Sequence, residues 1–278
     1  EEAVEIAMEG GGTFSVRLVD CVGYLVPGAV GQLEDGEPRM VHTPWFPQEI
    51  PMAEAAEIGT RKVIAEHATI GIVITTDGTI TDLPREAYPE AEGRVIEELK
   101  ALGKPFLILL NSAHPQGEAA QKLRAKLAEQ YDVTCLAVSC LDLDQQAVTE
   151  IIQAVLYEFP LEELQLFLPD WVETLPTEHP IRTALFQAIR AQAGKLVRIR
   201  DVKPAVAAMG QCELVTGASV TGMKLGSGCC QARLELPRSL FYDTLSQQTG
   251  FALHSDGELL ALLERLAVVQ AEHQKVAA

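Results

Sequence analysis

The sequence predicts an α/β protein, with a parallel-sheet domain followed by an α+β domain. Three observations carry this reading. Between residues 53 and 157, three short runs that are apolar at nearly every position alternate with segments of helical length. Strands buried on both faces and separated by helices belong to parallel sheets with helices on both sides. The alternation stops after Phe159-Pro160, and 278 residues suit two domains of roughly 150 residues each. The charge divides at the same place: of a net −17, residues 1–157 contribute −14 and residues 158–278 contribute −3.

The elements follow in order. Val4, Ile6 and Met8 alternate with polar or small residues, then Gly10-Gly11-Gly12, then Phe14, Val16 and Leu18 up to Asp20, which reads as a β-hairpin with a glycine turn. Residues 21–52 hold five of the 15 prolines and read as one long loop, a kind that is usually functional or disordered. Ala53–Ala68 is helical and Ile70–Thr76 is an apolar strand. Glu90–Leu102 is a helix with Val95, Ile96 and Leu99 on one face, and Phe106–Leu110 is a second apolar strand. Gly117–Gln130 is helical, Val133–Val138 is a strand, and Asp144 caps a helix to Tyr157. Beyond 160, Leu164–Leu168, Glu213–Val215 and Gln231–Leu236 read as strands, the last two around a glycine-rich stretch, 217–228. Arg182–Ala193, Ser239–Gln248 and Glu258–Gln274 read as helices, the last with an apolar stripe through Leu259, Leu260, Leu263 and Leu266.

Composition excludes several classes. A hydrophobic share of 47% is too high for a disordered chain. The acidic balance argues against nucleic acid as a partner, because phosphate backbones need a basic face. No run approaches the ~20 apolar residues of a membrane span. The six cysteines include no C-x-x-C, so zinc and thioredoxin spacings are absent, and the vicinal Cys229-Cys230 reads as strand packing. Both ends are abrupt, so the chain is expected to be an interior section of a longer protein.

The strongest chemical signal is Arg17-Leu18-Val19-Asp20-Cys21-Val22-Gly23. A strand ending in Asp and followed by x-x-Gly is how GTPase-like hydrolases set a carboxylate beside Mg²⁺ and an amide beside the γ-phosphate. Asn111-Ser112 follows the second apolar strand, where such folds read the base, and Ser139 follows the third, where the supporting loop lies. G-x-x-x-x-G-K-[ST] occurs nowhere, so the phosphates lack a cradle in this stretch. A dinucleotide fold fails because a strand, not a helix, follows Gly10-Gly11-Gly12. Gly217–Gly222 misses G-x-S-x-G by one residue, and the histidines show no metal spacing. His114 reads as a solvated loop residue and Trp45 and Trp171, beside prolines, as packing anchors.

Longer runs carry a resemblance. Arg17–Tyr24, His42-Thr43-Pro44-Trp45, Glu54–Ile64, Val73–Ile80, Glu97–Lys100, Gly103–Phe106 and Leu156–Pro160 are similar to the stage IV sporulation protein A family, the spore-coat morphogenetic ATPases of endospore-forming bacteria. The resemblance implies a P-loop NTPase-like domain of the translation-factor class over 1–159, truncated at its N terminus, and an α+β middle domain over 160–278. It implies that Asp20 is the Mg²⁺-linked and catalytic carboxylate and Gly23 the γ-phosphate-sensing glycine, with Asn111, Ser112 and Ser139 at the nucleotide. Tyr24 stands where many relatives carry a catalytic Gln. Asn111-Ser112-Ala113-His114 replaces N-K-x-D, which fits ATP rather than GTP because the guanine-reading carboxylate is gone.

The cofactors so implied are ATP and Mg²⁺. The partners are further copies of the chain, a small membrane-anchoring amphipathic peptide and other coat proteins. The place is the mother-cell cytoplasm at the outer surface of the forespore. Without a phosphate loop, this stretch alone is expected to be inactive. The competing reading is a structural, self-associating scaffold module without nucleotide hydrolysis.

Overall fold

The structure, a computed structural model, describes residues 3–7 and 13–277. The expected glycine turn at 10–12 lies outside the described residues. The chain forms two units, Glu1–Pro160 and Leu161–Ala278.

In the first unit, β1 (Val4–Ala7) and β2 (Thr13–Val16) pair antiparallel with Val4 opposite Val16. The strand stops four residues short of Asp20. Among the described residues the hairpin is a sheet of its own, and its pairing ends with Val4 opposite Val16. Leu18 and Val19, beyond the paired residues, are exposed. The proline-rich stretch is not one loop. It folds into two small antiparallel pairs, β3 (Leu33–Glu34) with β4 (Glu37–Pro38) and β5 (Met40–Thr43) with β6 (Phe46–Pro51). Pro27 and Pro44 sit in turns, Pro38 and Pro51 at strand ends, and Pro47 in a strand of a two-stranded pair, places where a missing N–H costs little.

α1 (Met52–Lys62) follows, with Glu54 in its first turn and Arg61 and Lys62 in its last, charges that match the helix dipole. It runs into one π-helical turn, Val63–His67. Then β7 (Gly71–Thr76), α2 (Pro89–Ala101), β8 (Phe106–Asn111), α3 (Glu118–Tyr131), β9 (Cys135–Val138) and α4 (Gln145–Tyr157) alternate. The three strands form a parallel sheet in the order β7-β8-β9.

Phe106–Leu110 is buried throughout, as a strand covered on both faces must be. Ile108 and Leu110 pack with Ile96 and Leu99 of α2 and Leu127 of α3 on one face. Leu107 and Leu109 pack with Ile151 and Val155 of α4 on the other. Asp144 caps α4, accepting from the Ala147 N–H at 2.7 Å. Burying each such aliphatic side chain contributes about 1.5–3 kcal/mol, which makes this two-faced core the main support of the unit.

The second unit holds β10 (Glu163–Phe167), α5 (Pro180–Ala193), α6 (Val202–Met209), β11 (Gly217–Lys224), β12 (Cys229–Glu235), α7 (Arg238–Thr249) and α8 (Asp256–Ala277). β12 is central, parallel to β10 and antiparallel to β11. Two expectations fail here. Glu213–Val215 is not a strand, and the glycine-rich stretch is one, β11. A side chain at Gly210 would meet Ala218 of β11 at 2.8 Å, so α6 ends hard against that strand. Cys229 and Cys230 are strand packing: neighbours in a strand face opposite ways, and only Cys230 is buried. The expected α8 stripe is not the buried face: Leu260, Leu263 and Leu266 are exposed, and Leu259 alone of these leucines packs inward, beside buried Leu262, which the stripe did not include.

Candidate functional site

Sheet register builds the first part of the site. Thr76, Asn111 and Val138 stand opposite one another at the carboxyl ends of β7, β8 and β9. The next residues, Asp77, Ser112 and Ser139, therefore come side by side at the edge where open α/β sheets bind ligands. Their loops are tied together. Asn111 Oδ1 accepts from the Cys140 N–H at 3.0 Å, and the Ser112 N–H donates to the Val138 carbonyl at 2.9 Å. The Ala113 N–H donates to Thr79 Oγ1 at 2.9 Å, and Thr79 donates from both its N–H and its hydroxyl to Asp77 Oδ1. Ser139 Oγ donates to Asp142 at 2.7 Å, within its own turn.

Ser112 is fully buried and accepts from the His114 N–H at 3.0 Å. It supports the edge from beneath, so contact with a ligand falls to its exposed neighbours Ala113 and His114. Burial pushes the Asp77 carboxyl up. Hydrogen bonds from Ser112, Thr79 and backbone N–H groups outweigh it and hold the group below the ordinary aspartate value. Asp77 and Thr79 were not singled out from the sequence, though an Asp-Gly pair closing an apolar strand was the available signal. Beneath this edge, Arg85 makes a two-pronged ion pair with buried Glu92 at 2.7 and 3.1 Å and donates to Thr75 Oγ1.

Asp20 and Gly23 form the second part. The Asp20 carboxylate is exposed and has no hydrogen bond or ion pair among the described residues. Gly23 has φ +80°, a conformation that glycine adopts readily, and a side chain placed there would meet nothing within 4 Å. Tyr24, one residue on, is buried. Its hydroxyl donates to Glu98 of α2, the Arg94 guanidinium lies 4.2 Å above its ring, and Arg61 of α1 donates to the other Glu98 oxygen at 2.9 Å. Burial first, and then the Glu98 hydrogen bond and charge, raise the Tyr24 phenol above its ordinary value.

Asp20 also lines a cavity of about 510 Å³ between α1 and the β5–β6 hairpin. Asn111, Ser112 and Ser139 do not line it. The structure thus gathers Asn111, Ser112 and Ser139, the residues expected on the base side, at the sheet edge and sets Asp20 against α1. Among the described residues, no cluster of three or more His, Cys, Asp or Glu could hold a metal by itself. A single free carboxylate still fits Mg²⁺, which keeps several waters and shares its shell with substrate phosphates.

Known proteins are similar over almost the whole chain. The family model described as stage IV sporulation protein A, ATPase domain, matches residues 1–160, and the model of that family's middle domain matches 161–278. Stage IV sporulation protein A of Clostridioides difficile (strain 630) is 39% identical over 275 residues, that of Bacillus subtilis (strain 168) 40% over 275, and that of Bacillus anthracis 41% over 276. Each match covers 99% of this chain and 56% of the relative, so the chain spans about half the length of these proteins. No solved structure matches. The chain belongs to the stage IV sporulation protein A family and carries its ATPase and middle domains.

Proposed function

We propose that the protein to which this chain belongs is a P-loop NTPase of the translation-factor class that hydrolyses ATP to drive its own polymerisation. The product is the basement layer of the spore coat, on the forespore surface in the mother-cell cytoplasm. A small membrane-bound amphipathic peptide and other coat proteins are its partners. The observation that carries the reading is the free Asp20 carboxylate followed by the left-handed Gly23, in a chain matched by the family's ATPase domain.

Each residue then has a task. Asp20 accepts hydrogen bonds from water around Mg²⁺, which when bound supplies charge stabilisation to the phosphates. The Gly23 N–H approaches the terminal phosphate. The loops tied by Asn111, Ser112 and Ser139 set the floor beneath an adenine, with His114 where a guanine-reading carboxylate would stand. Tyr24, held by Glu98, does not orient water, so the attacking water is positioned by other groups.

Calorimetric titration with ATP and Mg²⁺ tests the reading. Tight binding by a chain extended upstream, with little or none by these 278 residues, supports it. Absence of binding by both favours the scaffold alternative.

A further inference from the structure

The hydroxyl of Thr79 bridges the loops that follow β7 and β8. It accepts from the Ala113 N–H at 2.9 Å, across 34 residues of sequence. It donates to Asp77 Oδ1, which also accepts from the Thr79 N–H at 3.1 Å. Asp77 is held below the ordinary aspartate value, so at neutral pH it is a charged acceptor. A carboxylate can only accept, so the hydroxyl proton points to Asp77 and the oxygen lone pairs are left for Ala113. Gly78, between them, donates to Thr76 Oγ1 at 3.1 Å, and a side chain there would meet the Arg85 backbone nitrogen at 2.9 Å. The turn carrying Thr79 is thus fixed to the end of β7 and packed against the backbone at Arg85.

The segment that Thr79 holds is exposed at the ligand-binding edge. Ala113 and His114 are exposed beyond the carboxyl end of β8, whereas Ser112 beneath them is fully buried. Two further bonds, His114 N–H to Ser112 Oγ at 3.0 Å and Gly117 N–H to the His114 carbonyl at 2.9 Å, stay within the segment. They shape the turn but do not fix it against β7, which the Thr79 bond does. Groups that contact a ligand work only when supporting hydrogen bonds hold them to within about 0.5 Å. We propose that Thr79 is a positioning residue for base recognition: its hydroxyl, oriented by Asp77, holds the Ala113-His114 backbone where the base of the nucleotide meets it. This rests on the nucleotide reading of the edge, in which Asp20 and Gly23, and not Thr79, serve the phosphates.

The full-length protein is titrated calorimetrically with ADP and Mg²⁺ and, separately, with pyrophosphate and Mg²⁺. ADP carries the base and pyrophosphate does not. Thr79→Val weakens ADP binding about three- to tenfold, the worth of one hydrogen bond, and leaves pyrophosphate binding within about twofold. Thr79→Ser, which keeps the hydroxyl, holds both within about twofold of the parent. Thr79→Ala repeats the test if Thr79→Val does not fold. Equal losses for ADP and pyrophosphate, as a general disturbance would give, or a valine variant that binds ADP like the parent, overturn the proposal and leave the nucleotide reading standing. A parent that binds ADP no more tightly than pyrophosphate overturns the nucleotide reading of the edge and the proposal with it.

Discussion

The phenol of Tyr24 donates its proton to the carboxylate of Glu98, 74 residues further along the chain. This bond fastens the segment carrying Asp20 and Gly23 to α2, and through Arg61 to α1. The segment is thereby positioned although no strand continues through it.

Tyr24→Phe removes that fastening and leaves Glu98 with Arg61 at 2.9 Å. The partner is a carboxylate and the ring is buried, so the expected loss is about 1–2 kcal/mol. A urea titration shows it as a lower midpoint at unchanged slope. An unchanged midpoint means that the contact does not hold the segment.

Asp77 gives the sheet edge an acid dependence. Its folded pKa lies below the ordinary aspartate value of 3.8, so the folded state favours the charged form. Its contribution is complete above pH 3.8 and disappears as pH falls through the lower folded value. Melting curves from pH 5 to pH 2 show a shallower acid decline in Asp77→Asn than in the parent. Parallel declines contradict the network.

Gly59 sits inside a helix, where it costs up to about 1 kcal/mol relative to alanine. The close approach of the Trp45 ring explains it. Because Trp45 is 43% exposed, it can give way. Gly59→Ala therefore raises stability by about 0.5 kcal/mol while shifting Trp45 emission to the red. Unshifted emission would mean that the ring does not lean on the helix.

The thiols divide by burial. Cys135 is pushed up to about 12 by burial, and burial raises Cys230 too, with Cys229 adding to it. Cys21 is exposed. Iodoacetamide at pH 8 modifies Cys21 first and reaches Cys135 and Cys230 only after unfolding, as peptide mass mapping over time shows.

The parts of the fold legible in the sequence are those whose signal is local. Phe106–Leu110 is apolar at every position because both its faces are covered, and Asp144 announces its helix by type and place. β11 was hidden because its glycines read as turn residues, although Gly210 and Gly217 answer close packing to Ala218 and Glu235. β5 and β6 were hidden because short, exposed strands need no apolar alternation. Asp20 and Gly23 were readable as a motif. Thr79 with Ala113 was not, because the pair meets only once the chain has folded.

The most direct test of the central claim is the rate of ATP hydrolysis by the full-length protein carrying Asp20→Ala, read beside sedimentation of its polymers. Loss of hydrolysis and stalled assembly, in a protein that still folds, is the expected result. Hydrolysis at the parent rate would contradict it.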